Sequence, residues 1–133
     1  MTVFADAFFY VAFINQLDEH HDEVMEWARS FDGDIVTTQW VLTEVADAFA
    51  ESHIRRQIKA GFDSLVEDPA TRVIEVSPEY FARGMKLYDE RPDKAWSLTD
   101  CISLVVMADE GLTVALTRDH YFEQAGFTAV FAD

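Results

Sequence analysis

Apolar and polar positions change period repeatedly along this chain, and each change marks an element. TVFAD (2–6) is a short apolar run closed by an acid and predicts a buried strand. AFFYVAFINQ follows with apolar residues on several faces, as in a largely enclosed helix. In residues 18–31, Val24, Trp27, Ala28 and Phe31 recur at helical spacing, with Asp18, Glu19 and Asp22 in or near the first turn, where the helix dipole favours acids. DGD (32–34) predicts a turn and DIVTT (34–38) a second strand. Residues 39–69 carry a long helical pattern, expected to break around Ser52-His53 or Gly61 and to stop at Pro69. RVIEV (72–76) alternates like a strand. Ser77 with Pro78 opens one helix, and Ser97 with Asp100 opens another that Gly111 ends. LTVALT (112–117), a short helix over 118–126 closed by Gly126, and FTAVF (127–131) complete the pattern.

The order β-α-α-β-α-α-β-α-α-β-α-β predicts an α/β fold, a three-layer α/β/α sandwich whose central, mostly parallel sheet has about five strands. No internal repeat or long linker divides residues 1–133, so one domain is expected. Half the residues are hydrophobic, enough to cover such a sheet on both faces. The longest apolar run, residues 7–14, is too short to cross a bilayer, and no basic stretch precedes it as in a signal peptide. The lone cysteine, Cys101, excludes an internal disulfide and points to a reducing cytoplasm. A net charge of −15 is opposite in sign to the footprint of a general nucleic-acid binder. Any nucleic-acid contact must therefore be local, with cations offsetting the acids.

Four acids carry the chemistry: Asp6, Glu44, Asp100 and Asp119. Taken singly, Asp6 and Asp119 read as helix N-caps, Glu44 as a solvated helix residue and Asp100 as half of a capping box. Jointly they say more. Each lies just after a strand or in the opening of a helix, and a parallel sheet sends those places to its carboxyl edge. Carboxylates gathered there repel unless cations sit between them, which outlines a site for one or two Mg²⁺ or Mn²⁺ ions. Such ions activate water and stabilise a leaving oxygen in phosphodiester hydrolysis. A phosphotransferase of the haloacid dehalogenase type also opens with an acid after its first strand. It needs a second Asp two residues on, where this chain has Phe8.

The segments VFADAFFYVAFIN, TTQWVLTEVADAF and SLTDCISLVVMADEGLTVALTRDHYFEQAGF resemble the PIN domain family, in its VapC-like toxin branch. The resemblance covers nearly the whole chain, with residues 53–95 generic. It implies a metal-dependent endoribonuclease whose acidic quartet falls on Asp6, Glu44, Asp100 and Asp119. It also implies an RNA substrate, an antitoxin partner, and a homodimer or higher oligomer. A stand-alone nuclease of RNA processing and a catalytically inactive PIN-shaped binding module are the alternatives. The family often has Thr or Ser directly after the first acid; Ala7 stands there, leaving that hydroxyl contact open.

Around the quartet, Thr38 and Ser97 are candidate polar neighbours, and Arg118 is a candidate phosphate contact. Arg55, Arg56 and Lys59 form the tightest basic cluster and could hold phosphate, although a solvated helix face would look the same. Asp47 and Glu123 are weaker acidic candidates. His20, His21, His53 and His120 match no zinc spacing and read as surface residues, with His120 nearest the site. Phe8, Phe9, Tyr10 and Phe13 exceed the usual needs of a small core, so some are expected to face a partner.

Overall fold

The structure is a computed structural model describing residues 1–133. The element order is β1 (Thr2–Ala5), α1 (Ala7–Ile14), α2 (His21–Ser30), β2 (Asp34–Thr38), α3 (Gln39–Ala48), α4 (Arg55–Glu67), β3 (Thr71–Ile74), α5 (Pro78–Glu90), α6 (Leu98–Asp109), β4 (Val114–Leu116), α7 (His120–Gln124) and β5 (Thr128–Ala129). The five strands form one sheet in the order β3-β2-β1-β4-β5, and every neighbouring pair is parallel. Register is set at the centre, where Phe4 sits opposite both Val36 and Ala115.

This order builds the layers. From β1 the chain steps outward through β2 to β3, then crosses back to β4 and outward to β5. Right-handed crossovers then place α1–α4 on one face of the sheet and α5–α7 on the other. In keeping with this, α1 packs on α2 and α3, and α5 packs on α6. The strands between these layers are apolar on both sides: Val3, Phe4, Ala115 and Leu116 are all buried.

The helix ends follow from side-chain chemistry. Thr38 accepts the Val41 N–H, Ser77 accepts that of Tyr80, and Ser97 with Asp100 forms a complete capping box. Gly111 (φ +68°) and Gly126 (φ +95°) supply the left-handed residues that stop α6 and α7. The break in the long helical pattern runs from Phe49 to Ile54, around Ser52, and Gly61 lies inside α4 without disturbing it. Observed strands are shorter than their apolar runs: β3 ends at Ile74, β4 starts at Val114 and β5 has two residues. The flanking Leu112 is buried outside the ladder, while Phe131, beyond β5, still donates its N–H to the Thr117 carbonyl.

The aromatic excess near the amino terminus is mostly core. Phe9 and Tyr10 are buried and Phe8 is packed against the core; only Phe13 is exposed. Helix α1 is apolar on all sides because α2 and α3 enclose it.

Helices α5 and α6 approach closely. A Cβ on Gly84 would stand 2.3 Å from Ile102 Cγ1 and 3.3 Å from the Ile102 backbone. Gly84→Ala should therefore destabilise the fold by about 1–3 kcal/mol, read by urea unfolding. Adding Ile102→Ala should not cost its full separate penalty, because it clears the clash. Strict additivity of the two losses would contradict this packing account.

Candidate active site

The strand order fixes where ligands bind. The chain leaves β1 towards one edge of the sheet and reaches β4 from the other side, so a crevice opens beyond the carboxyl ends of β1 and β4. Asp6 directly follows β1, and Thr117 and Asp119 follow β4. Asp6 is buried and extended, and its side chain caps no helix N–H. Instead, the Thr117 hydroxyl donates to Asp6 Oδ2 at 2.8 Å. The same Thr117 oxygen accepts the Asp119 N–H at 3.0 Å, while Asp119 Oδ1 accepts the Tyr121 N–H at 2.9 Å. One buried threonine thus joins the first acid to the segment carrying the last.

Asp100 reaches the crevice from α6. Its Oδ2 accepts the Ser97 N–H at 3.0 Å and its own N–H donates to Ser97 Oγ at 3.0 Å, fixing the side chain at the helix mouth. Asp100 and Asp119 therefore cap helices as well as facing the crevice. Glu44 stands on the second turn of α3, a helix anchored at the carboxyl end of β2 by the Thr38 cap.

The charges of these acids act on one another. Burial raises Asp6 to about 6, against the Thr117 and Ala7 hydrogen bonds, and the charges of Asp100 and Asp119 push the same way. Glu44 rises to about 7, through desolvation first and then repulsion from Asp6, Asp100, Asp47 and Asp119. Its side chain remains open to solvent, so repulsion is the sturdier of its two causes. Asp100 is raised by burial and by Asp119, against its Ser97 hydrogen bonds. As placed, no three Asp, Glu, His or Cys groups stand close enough to grip one ion. As a donor set the four acids are all oxygen and anionic, which suits a hard divalent cation.

The other predicted residues fall in different places. Thr38 is fully buried and spends its hydroxyl on the α3 cap. Ser97 is exposed beside Asp100. Arg118 points to Asp133 (2.9 Å) and His20 (3.5 Å) and makes no contact with Asp119. Arg55 donates to the Ala50 carbonyl, Arg56 is exposed, and neither bonds to any of the four acids. His120 pairs with Glu123, two positions that this engages with each other. Thr117, the hydrogen-bond partner of Asp6, is the neighbour that sequence reading missed. Its only signal was a hydroxyl at the end of a strand, two residues before an acid.

With this geometry in hand, comparison with known proteins identifies the family. The PIN domain model matches residues 3–128, and the chain belongs to that family. The fold is that of VapC20 from Mycobacterium tuberculosis, a sarcin-ricin loop cleaving toxin: TM-score 0.86 at 23% identity, covering 96% of this chain and 98% of that one. FitAcB from Neisseria gonorrhoeae (TM-score 0.69, 14% identity, 97% and 96% covered) is also similar. So is VapBC2 from Rickettsia felis, solved on a DNA fragment from its promoter (0.65, 15%, 97% and 96%). No curated protein matches significantly. No helix is long and apolar enough to cross a membrane.

The raised acidities have a measurable sign. Asp6 and Glu44 hold their protons more tightly folded than unfolded, so their effect on stability is most favourable below about pH 4 and is lost as pH rises through about 6 and 7. In EDTA, Asp6→Asn should be more stable than wild type at pH 8 by up to about 3 kcal/mol, and the advantage should vanish near pH 4. Urea unfolding at both pH values checks this; an advantage independent of pH would contradict it.

Proposed function

We propose that this chain is a Mg²⁺- or Mn²⁺-dependent endoribonuclease. The observation that carries the reading is the electrostatic coupling of Asp6, Glu44, Asp100 and Asp119 at the β1/β4 crevice. Family membership supports the same chemistry. Asp6, Glu44, Asp100 and Asp119 would hold one or two divalent ions. A bound ion supplies a Lewis acid and lowers the pKa of a coordinated water. The protein's share is to hold the carboxylates in place, with Thr117 orienting Asp6 and the Ser97 box orienting Asp100. No cysteine, serine or lysine nucleophile is required.

Within that reading, the chain acts as the toxin of a toxin–antitoxin pair in the cytoplasm. The VapC20 and VapBC2 likenesses favour this, and so does an apolar groove of about 490 Å³ between α1, α2 and α4. Phe13, Trp27, Phe31, Phe62 and Leu65 line it, and the buried Tyr10 hydroxyl there has no hydrogen-bond partner. An antitoxin segment with an aromatic or Arg anchor suits such a groove. Self-association has less support, since Phe13 alone of the amino-terminal aromatics is exposed.

Purified protein should cleave RNA with Mn²⁺ and stop in EDTA, and Asp100→Asn should fall to the EDTA level while keeping its fold. Mn²⁺ at a hundredfold excess over Kd should stabilise wild type by about 2.7 kcal/mol, beyond matched ionic strength, and Asp100→Asn should lose most of that gain. Full activity of Asp100→Asn at limiting metal would overturn the assignment. An inactive wild type with no metal-induced rise in Tm would favour a binding module. For the partner, Phe13→Glu should abolish antitoxin capture and leave RNA cleavage intact; unchanged capture would remove the groove from the account.

A further inference from the structure

RNA must approach a chain of net charge −15, so the few unneutralised cations matter. Six of the ten Lys and Arg residues lie in ion pairs with carboxylates: Lys59, Arg72, Arg83, Lys86, Arg91 and Arg118. Of the other four, Lys94 alone lines one of the larger cavities. That cavity, about 880 Å³, opens between the end of α5 and the start of α6. It runs from Met85 and Tyr88 past Arg91 and Lys94 to Ser97, the residue that fixes Asp100.

Its walls are of two kinds. Tyr88 is 49% exposed and Met85 39%, flat or pliable apolar groups presented to solvent. Across the cavity, the Arg91 guanidinium lies 5.3 Å from the centre of the buried Trp96 ring, which holds the loop in shape, while Asp93 neutralises its charge. Lys94, half-buried and in no ion pair, is the least committed cation here, lying within the field of Asp93 while Asp89 also lines the cavity. An exposed aromatic face beside a cation is the combination that takes an unpaired nucleotide: the base stacks and the phosphate meets the ammonium. The volume is that of a small-molecule site rather than of a flat protein contact.

Resting on the ribonuclease reading above, we propose that the cavity between α5 and α6 is a substrate subsite. It takes one unpaired nucleotide of single-stranded RNA, with the base on Tyr88 and its phosphate on Lys94, and leads the neighbouring phosphodiester to Asp100. Lys94 and Tyr88 are thus binding residues that select single-stranded over duplex RNA.

The test measures binding of a short fluorescein-labelled single-stranded RNA of mixed sequence, and of the same sequence as a duplex, in EDTA by anisotropy. Wild type is compared with Lys94→Glu, Tyr88→Ala and Arg29→Glu. The last matches the charge change at an exposed, unpaired residue of α2 outside the cavity. Lys94→Glu should weaken single-strand binding about tenfold and flatten its salt dependence by about one counterion. Tyr88→Ala should weaken it by about fivefold or more with the salt dependence unchanged. Arg29→Glu should match wild type, and duplex binding should be weak throughout. Thermal melts confirm that all variants fold. If wild type cleaves RNA but Lys94→Glu and Tyr88→Ala bind it as wild type does, the subsite is overturned and the ribonuclease reading stands. If those variants change only the mass measured by light scattering, the face joins copies of the chain and the proposal is again overturned. A wild type that neither binds nor cleaves RNA overturns both readings.

Discussion

Repulsion among carboxylates held at one edge of a parallel sheet is the constraint on which this structure turns. The strand order β3-β2-β1-β4-β5 brings the ends of β1 and β4 side by side, so Asp6 and Asp119 arrive together from positions 113 apart in sequence. Helices α3 and α6 add Glu44 and Asp100. The core buries Asp6 at the foot of the crevice, and Thr117 offers it a single hydroxyl. The Thr117 and Ala7 hydrogen bonds do not offset burial and neighbouring charges, and Asp6 holds its proton to about pH 6. A site so arranged stores unfavourable electrostatics that only protons or cations relieve.

The fold was legible because local and global signals agreed. Ser77-Pro78 and Ser97-Asp100 are helix openings whose hydrogen bonds can be inferred from side-chain chemistry alone, and both formed. The alternation of strands and helices specified a parallel sheet, and all five strands are parallel. Strand limits were less legible, because a residue such as Leu112 is apolar for burial rather than for pairing. The run of aromatics after Asp6 was legible only in part, because periodicity cannot distinguish an enclosed helix face from an open one: Phe9 and Tyr10 are buried, while Phe13 stays exposed.

The candidate site was legible in its acids and not in its supports. Acids at strand ends stand out because carboxylates are costly there without a purpose. Thr117 does not stand out, since a threonine at the end of a strand is ordinary, and its role depends on a pairing between β1 and β4 that no local pattern encodes. Cations were harder still. Arg118 looked like a phosphate contact by adjacency to Asp119, but its side chain runs to Asp133 and His20. Arg55 and Arg56 formed the densest basic cluster and neither is in an ion pair, yet neither bonds to the acids or lines the cavity beside Ser97, which a count along the sequence cannot tell. Lys94 gave no signal until ion pairs were assigned in three dimensions.

The coupling of the acids can be measured directly by titrating the side-chain carboxyls with carbon-13 NMR, first in EDTA and then in excess Mg²⁺. The account predicts that, without metal, Asp6 titrates near 6 and Glu44 near 7, and that Mg²⁺ moves both down together. Ordinary values for both groups, unchanged by Mg²⁺, would contradict it.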